Sequence, residues 1–272
     1  MSRPPDAPRT ASAPLTARSG RVKEARKLSR RTARAERRLF LADGPKAVEG
    51  ALGAGCVVEL FATLPALEEY AVLVAAADRV TVLDERALAS LSDSVTPAGV
   101  VAVCSFVDVG LGVAVQTARD GHGLLAICAD VRDPGNAGTL LRTSDAMGAD
   151  AVVLAGHSVD AYNPKAVRAS VGSLFHLPLA VEPDAATAVR AAREAGLTVV
   201  AADGAGELAL DEVRELLTRP TAWLFGNEAW GLPTELADLA DHRVRIPIRG
   251  RAESLNVGTA AAICLYESAR SR

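Results

Sequence analysis

Three polar segments, at 130–143, 226–232 and 246–259, carry the side chains best suited to chemistry. Each follows a short apolar run that predicts a buried strand. Amides, a hydroxyl and a carboxylate can orient a polar ligand, and an arginine presents a fork of donors that matches a phosphate. Gly226 permits close backbone approach to a ligand. The candidate polar residues in these segments are Asn136, Arg142, Glu228, Ser254 and Asn256.

Each of these residues also has an ordinary structural interpretation. Asn136 is a good N-cap for a helix, and Arg142 would then be an exposed side chain on its second turn. Glu228 would face the N-terminal dipole of a following helix. Ser254 or Asn256 would cap the last helix. Taken singly, none of these residues establishes a reaction.

The elements around the segments predict a parallel α/β sheet covered on both faces. Strand-like runs occur at 124–129, 151–154, 177–181, 197–202, 222–225 and 244–248, and helical segments at 136–147, 164–174, 185–195, 208–218, 233–240 and 256–270. Ligands bind such sheets beyond the carboxyl ends of the strands, which is where the polar segments fall. We therefore expect a catalytic domain over 121–272.

The first part of the chain predicts a separate small α/β unit over 39–107, followed by a linker over 108–120. Residues 1–38 read as a basic arm, with 1–19 disordered and order beginning near Leu39. Residues 1–40 contain twelve Lys and Arg but three Asp and Glu, although the whole chain has a net charge of −3. Such an arm either binds a polyanion or is a solvated tail.

Composition excludes several classes of protein. The 272 residues are 49% hydrophobic and 23% charged, as in ordinary globular chains. There is no apolar run long enough to span a membrane and no secretory signal core, so we predict a cytoplasmic protein with no membrane partner. The four cysteines are widely spaced, which predicts neither a metal site nor a disulfide framework. Gly204–Ala209 matches a loose dinucleotide fingerprint, but an ordinary turn is the better interpretation.

Together the three segments resemble the three signature motifs of the SpoU/TrmH family of RNA 2′-O-methyltransferases, within the SPOUT superfamily. The motifs stand here as 136–143 (NAGTLLRT), 226–232 (GNEAWGL), and Ile246-Pro247 followed by 254–257 (SLNV). The resemblance implies a C-terminal domain with a parallel sheet and a trefoil knot. The segments at 40–44 and 91–99 resemble the family's N-terminal RNA substrate-binding domain, a small α/β domain with a ribosomal-protein-like fold.

The resemblance also implies a cofactor and roles for the candidates. S-adenosylmethionine would be bound by Leu224, Gly226, Ile246, Leu255 and Asn256, without a metal. Arg142 would assist removal of the ribose proton or hold the RNA phosphate, the easier role because a guanidinium keeps its proton to roughly pH 12. Asn136, Glu228, Ser254 and Asn256 would orient Arg142, the ribose or the loops. The family acts as a homodimer, with the last helix as a suitable interface.

These observations predict an S-adenosylmethionine-dependent RNA ribose 2′-O-methyltransferase. The extra N-terminal unit favours 23S ribosomal RNA, and the resemblance leaves open a link to antibiotic resistance. Transfer RNA is an alternative acceptor, a non-catalytic RNA-binding or ribosome-assembly protein is a rival of another class, and a nicotinamide enzyme is a distant third. Candidate RNA contacts are Lys23, Arg26, Lys27, Arg30, Arg31, Lys165 and Arg168.

Overall fold

The computed structural model describes residues 13–272, in two α/β units. The N-terminal unit has a four-stranded sheet in the order β1-β4-β2-β3, with β1 and β2 antiparallel to β4 and β3 parallel to β2. Its strands are β1 (Leu39–Asp43), β2 (Val57–Ala62), β3 (Val80–Val82) and β4 (Val100–Ser105). Its helices are α1 (Gly20–Arg26), α2 (Arg31–Arg37), α3 (Pro45–Gly53), α4 (Leu64–Glu69), α5 (Ala71–Ala76) and α6 (Glu85–Ala89), with a 3-10 turn at Lys27–Ser29.

The basic N-terminal segment is folded, so the expectation of an arm over 1–38 with order beginning near Leu39 is wrong. Helix α1 and the 3-10 turn bury Val22, Ala25 and Leu28 against the N-terminal sheet. These side chains recur every three residues and form one apolar stripe, which is enough to pack an otherwise basic helix. Leu15 also pairs with Leu83. Disorder was predicted for 1–19. Residues 1–12 lie outside the described residues, whereas 13–19 have a defined structure, so the prediction is wrong for 13–19.

The C-terminal unit is built on a seven-stranded sheet in the order β7-β6-β5-β10-β8-β11-β9. All six pairings between neighbouring strands are parallel, as predicted. The strands are β5 (Leu124–Ala129), β6 (Ala151–Ala155), β7 (Leu179–Glu182), β8 (Thr198–Ala202), β9 (Leu208–Ala209), β10 (Thr221–Phe225) and β11 (His242–Arg245). Alternate residues of β5 enter separate cores on the two faces of this sheet, because successive side chains of a strand point in opposite directions.

Helices cover both faces of this sheet. They are α7 (Leu111–Asp120), α8 (Pro134–Ala146), α9 (Pro164–Ser170), α10 (Ala185–Glu194), α11 (Thr234–Ala237) and α12 (Val257–Ser271). The expected linker at 108–120 is therefore wrong over most of its length. Ala114, Val115 and Ala118 of α7 are buried in one of the cores. A helix can pack through small side chains such as alanine. Because such a helix lacks bulky apolar residues at helical spacing, its sequence pattern does not reveal it.

One further helix prediction failed. Residues 208–218 form the short strand β9 and two 3-10 turns, at Leu210–Glu212 and Leu216–Thr218, instead of a helix. Pairing of β9 with β11 competes with the helical pattern and adds an edge strand to the sheet. In the N-terminal unit, the short apolar run at 72–75 does not form a strand; it lies in the short helix α5.

A buried ion pair joins the two units. The Arg34 side chain on α2 donates from Nε and Nη2 to Asp160 Oδ2, at 2.9 and 2.6 Å, and from Nη1 to the carbonyls of Leu28 and Ser29. Arg34 is 2% exposed. A buried guanidinium is tolerated when it is paired and well hydrogen-bonded, and four hydrogen bonds hold this one. Asp160 lies between β6 and α9, so this contact fixes the first helices against the larger sheet.

Candidate active site

The loop after β5 turns directly into helix α8. Asp133 is the N-cap, because its Oδ1 accepts from the backbone N–H of Asn136 at 2.9 Å, and Pro134 occupies the first helical position. The prediction of Asn136 as the cap is therefore wrong. Asn136 lies in the first turn instead, and its side-chain amide is free to bond across to other loops.

Asn136 bonds to the carboxylate that follows β10. Its Nδ2 donates to Glu228 Oε1 at 3.0 Å, and the backbone N–H groups of Arg132 and Asp133 point to the same carboxylate at 3.4 and 3.3 Å. Partial burial opposes ionisation of Glu228, but the donors from Asn136 and the main chain outweigh it and lower the pKa of this carboxyl. Glu228 is thus a fixed anion that joins the first two segments.

Asn256 adds the third segment to the same chain of hydrogen bonds. Its Oδ1 caps α12 by accepting from the N–H groups of Gly258 and Thr259, at 2.9 and 3.4 Å. Its Nδ2 donates to Asn136 Oδ1 at 3.0 Å. The predicted capping role is confirmed for Asn256, and the structure shows a second role in the contact with Asn136.

The loop after β10 folds tightly on itself. Asn227 and Gly231 exchange backbone hydrogen bonds of 3.0 and 2.9 Å. A Cβ on Gly226 would lie 2.5 Å from the carbonyl carbon of Gly231, so only glycine fits there. Asn227 was not among the predicted site residues. Its Nδ2 donates to the Asp130 carbonyl at 2.6 Å and its Oδ1 accepts from Ala229 N–H, so it ties this loop to the end of β5. Its near-complete burial next to a glycine turn was invisible in sequence.

The side chains of Arg142 and Ser254 are free within the part of the chain that the structure describes. Both are exposed, and neither forms a side-chain hydrogen bond or ion pair there. Leu140 and Leu141 point into the core while Arg142 does not, as predicted. An unpaired guanidinium and hydroxyl on the rim of a site are available to a ligand.

The comparisons agree with this geometry. Residues 123–266 match the model of the SpoU rRNA Methylase family, and residues 20–102 match that of the MRM3-like substrate binding domain. A 23S rRNA (guanosine(2553)-2′-O)-methyltransferase, RlmP, of Bacillus subtilis is 33% identical over 92% of this chain and 96% of its own length. The chain belongs to the SpoU methylase family.

Two other relatives support this assignment. A 23S rRNA (uridine(2479)-2′-O)-methyltransferase of Streptomyces viridochromogenes is 42% identical over 144 residues, and the chain spans about half of that relative (50%). The crystal structure of an AdoMet-bound rRNA methyltransferase from Sinorhizobium meliloti has a TM-score of 0.79 at 35% identity, covering 92% of this chain and 94% of that one. The predicted family, its α/β fold class and an S-adenosylmethionine-dependent methyltransferase activity are confirmed. The trefoil knot stays a prediction.

The third loop of this SpoU methylase suits the cofactor. Residues 248–255 donate no backbone-to-backbone hydrogen bond to any described residue, although they border α12. Ile246 and Pro247 are half-buried, and Leu255 is 37% exposed, which leaves aliphatic surface beside free main-chain groups. Adenine binding needs this combination of apolar walls and a few placed polar groups. Leu224 is fully buried in the core and paired with strands on both sides, so neither its side chain nor its backbone is open to a ligand in this structure. The cofactor contacts of these residues stay predictions.

The predicted RNA contacts of this SpoU methylase lie in two places. Lys23, Arg26, Lys27, Arg30 and Arg31 are exposed on the first helices, and Lys27 is paired with Glu24. Lys165 is paired with Asp133 at 3.0 Å, and this contact is the main cause of the lowered pKa of Asp133. Arg168 is paired with Asp93. Three of the seven cations are therefore paired with carboxylates, and the RNA-binding roles of all seven stay predictions.

Two further observations concern the described residues alone. Residues 13–272 contain no cluster of three or more His, Cys, Asp or Glu side chains suited to a metal ion. No helix among them is long and apolar enough to cross a bilayer.

The glycine-rich segment that matched a loose dinucleotide fingerprint is a turn between β8 and β9. A Cβ on Gly206 of that turn would meet the Arg243 backbone at 2.7 Å. Close packing within the protein therefore explains that glycine without a nucleotide.

Proposed function

We propose that this protein transfers the methyl group of S-adenosylmethionine to a ribose 2′-hydroxyl of 23S ribosomal RNA. The observation that supports this best is the hydrogen-bond chain Glu228–Asn136–Asn256, which draws the three loops together at the carboxyl edge of the sheet. The N-terminal unit, matched by a substrate-binding family model, supports a large structured RNA as substrate.

The cofactor supplies an electrophilic methyl group on a sulfonium, so the chain itself must bind, orient and manage one proton. Gly226, Ile246, Leu255 and Asn256 would hold the cofactor through their loops. The acceptor oxygen must lie in line with the methyl group, and rigid loops are needed for such alignment. Ionised Glu228 provides this rigidity by fixing Asn136, which in turn fixes Asn256.

Arg142 would bind the RNA. Its free guanidinium can hold a phosphate oxygen by two donors and so position the neighbouring ribose. Its positive charge would also stabilise the 2′-oxygen as the hydroxyl proton is lost to solvent and negative charge develops on that oxygen. Ser254, exposed and unpaired among the described residues, is placed to donate to the ribose or to Arg142's ligand.

Helix geometry supports a site shared between two subunits. Arg142 follows Asn136 by six residues, which places it about 9 Å further along α8 and roughly 120° around the helix. It shares a face with Thr139, and a Cβ on Gly258 of α12 would lie 2.8 Å from Thr139 Cγ2. Helix α12 therefore packs beside the part of α8 that carries Arg142. Helix α12, with Tyr266 exposed, would form the homodimer interface and present Arg142 to the partner's loops.

The decisive test is labelled methyl transfer to unmodified 23S ribosomal RNA, followed by mapping of reverse-transcription stops. We expect incorporation at a 2′-oxygen with wild-type protein and none with Arg142→Ala. Transfer RNA transcripts serve as the competing substrate. Methylation of transfer RNA alone would overturn the ribosomal substrate, and no incorporation into any RNA would favour a binding protein.

A further inference from the structure

A cleft of about 640 Å³ opens at the carboxyl ends of β6 and β7, beside the loop that leads into α8. Its lining combines a floor of aliphatic side chains with cations from both units. The principal lining residues are Arg31, Arg132, His157, Ser158, Val181 and Pro183. Its volume is within the range of sites for nucleotide-sized ligands, roughly 300–1,000 Å³.

The charges in this cleft are not neutralised from within. Arg31 and Arg132 form no ion pair with a described residue, and no carboxylate lines the cleft. Arg31 comes from helix α2, which the buried pair between Arg34 and Asp160 holds against the larger unit. The packing of the two units therefore brings both arginines to one cleft. An anion is the ligand that complements their charge.

An aromatic platform stands beside the cleft. The Arg132 guanidinium lies over the Trp230 ring, 5.9 Å from its centroid, and Trp230 is 59% exposed. Arginine and aromatic planes are the groups on which unpaired bases stack in RNA-binding proteins. The cleft therefore offers both parts of a nucleotide a partner, cations for the phosphate and a ring for the base.

The cleft is coupled to the reaction site through Glu228. The Arg132 N–H points to Glu228 Oε2 at 3.4 Å, and Glu228 also accepts from Asn136. Trp230 follows Glu228 by two residues in the same loop. Anything bound by Arg132 and Trp230 therefore lies next to the three loops.

We propose that Arg31, Arg132 and Trp230 bind an unpaired nucleotide of the RNA that neighbours the methylated one. Arg31 and Arg132 hold its phosphate, and Trp230 stacks on its base. This inference rests on the proposed function for the identity of the ligand as RNA. The first helices then form part of the RNA-binding surface through Arg31. Arg132 and Trp230 of the C-terminal unit connect that surface to the reaction site.

The test uses Arg31→Ala, Arg132→Ala, Arg132→Lys, Trp230→Ala and Trp230→Phe in the full-length protein. Point variants are needed because removal of residues 1–38 would also remove Val22, Ala25 and Leu28 from the core. Arg214→Ala, an exposed arginine between two 3-10 turns, is the matched control for loss of one charge. Affinity for a 23S ribosomal RNA transcript is measured across salt concentrations, alongside calorimetry with S-adenosylmethionine.

We expect each arginine-to-alanine change to weaken RNA binding and to reduce the salt slope by about one. Trp230→Ala should weaken binding about tenfold, and Trp230→Phe should restore most of it, because stacking needs only a ring. Arg132→Lys should keep the salt slope but not the full affinity. Cofactor affinity should be unchanged in all variants.

Three results would overturn the proposal. RNA affinity equal to that of Arg214→Ala would show that the cleft does not bind RNA. Weaker S-adenosylmethionine binding would assign the cleft to the cofactor. Loss of affinity in Trp230→Phe equal to that in Trp230→Ala would remove the stacking role. Wild-type affinity for the transcript separates this proposal from the proposed function. A wild-type protein that does not bind the transcript would count against 23S ribosomal RNA as the substrate, whereas wild-type binding with unchanged variants would count against the cleft alone.

Discussion

Asn256 Nδ2 donates to Asn136 Oδ1 at 3.0 Å, across 120 residues of sequence. The direction of this bond is fixed by Glu228. A carboxylate only accepts, so Asn136 must turn its Nδ2 to Glu228 and its Oδ1 to Asn256. The cap of α12, an amide in the first turn of α8 and a carboxylate thus form one polar chain through three loops.

Asn256→Asp separates the two roles of that residue. Aspartate keeps the oxygen that caps α12 but loses the donor to Asn136, so two acceptors would face each other. We expect nearly unchanged thermal stability with kcat/KM for methyl transfer lower by about tenfold or more. Asn256→Ala should lose the cap as well and cost about 1 kcal/mol of stability. Full activity in Asn256→Asp would show that the contact with Asn136 is dispensable.

Glu228→Gln tests the anion. The amide nitrogen of glutamine cannot accept, so at least one of the three donors that face the carboxylate would lose its acceptor, the loops would be held less firmly, and methyl transfer should fall. The pKa of Glu228 is lowered on folding, so the folded state binds fewer protons and the ionised carboxylate stabilises it above the ordinary value of 4.5. That stabilisation should be lost as the pH falls through the lowered pKa. Denaturant unfolding of both proteins should therefore show a difference at neutral pH that shrinks in acid, whereas a constant difference would contradict the assignment.

Gly226→Ala should abolish cofactor binding. The added Cβ meets backbone atoms of Gly231 and Leu232 at 2.5–2.7 Å, and backbone cannot move aside as a flexible side chain can. Gly204→Ala is the matched control, because nothing lies within 4 Å of a Cβ there. Calorimetry with S-adenosylmethionine should show no heat for the first variant and wild-type affinity for the second. Equal affinities would mean that the loop at 226–232 is not part of the pocket.

Arg142→Ala should eliminate methyl transfer and leave S-adenosylmethionine affinity intact, since no described residue depends on this side chain. If Arg142 serves the partner's pocket, mixing Arg142→Ala with Gly226→Ala should restore roughly a quarter of wild-type activity, because half of the dimers are mixed and each has one intact site. Sedimentation of the wild-type protein checks the dimer itself. No recovery from subunits shown to exchange would place Arg142 in its own chain's site.

Arg34→Ala should destabilise the protein by about 3–5 kcal/mol, because it leaves Asp160 without its buried partner. Arg37, on the same helix as Arg34, pairs with Glu24 of α1 at the surface, so Arg37→Ala should change the stability little. Guanidinium denaturation of both variants measures the difference. Similar free energies of unfolding would show that α2 is not anchored through Arg34.

The reactivity of the thiols follows from burial. All four cysteines are buried, and burial raises the pKa of Cys128 to about 12. The pKa of Cys56 is lowered, mainly by its contact with Cys104. Because the thiolate is the nucleophile, iodoacetamide at pH 8 should label Cys56 before Cys128, as peptide mass mapping would show. Labelling of Cys128 first would contradict the buried environment.

Local patterns predicted the strands of the larger unit well. The runs at 124–129 and 151–154 are continuous apolar stretches, and a strand buried on both faces needs little else to be identified. The motifs were recognisable for the same reason, since Gly226, Glu228 and Asn256 lie in short loops whose residue types are constrained locally. Where a helix packs through alanines, as α7 does, or through every third residue, as α1 does, the pattern was too sparse to read.

The sequence by itself determined the family, the parallel α/β sheet and the three loops that carry the polar residues, because each depends on residue types within about a dozen positions. Only the tertiary structure decided that Asp133 rather than Asn136 caps α8, that Asn136 joins Glu228 to Asn256, and that the basic N-terminal helices are tied to the larger unit through Arg34. The last two relationships connect residues some 90 to 130 positions apart. No local rule specifies which distant side chain a free amide or guanidinium will meet, because the packing of the sheet sets that choice.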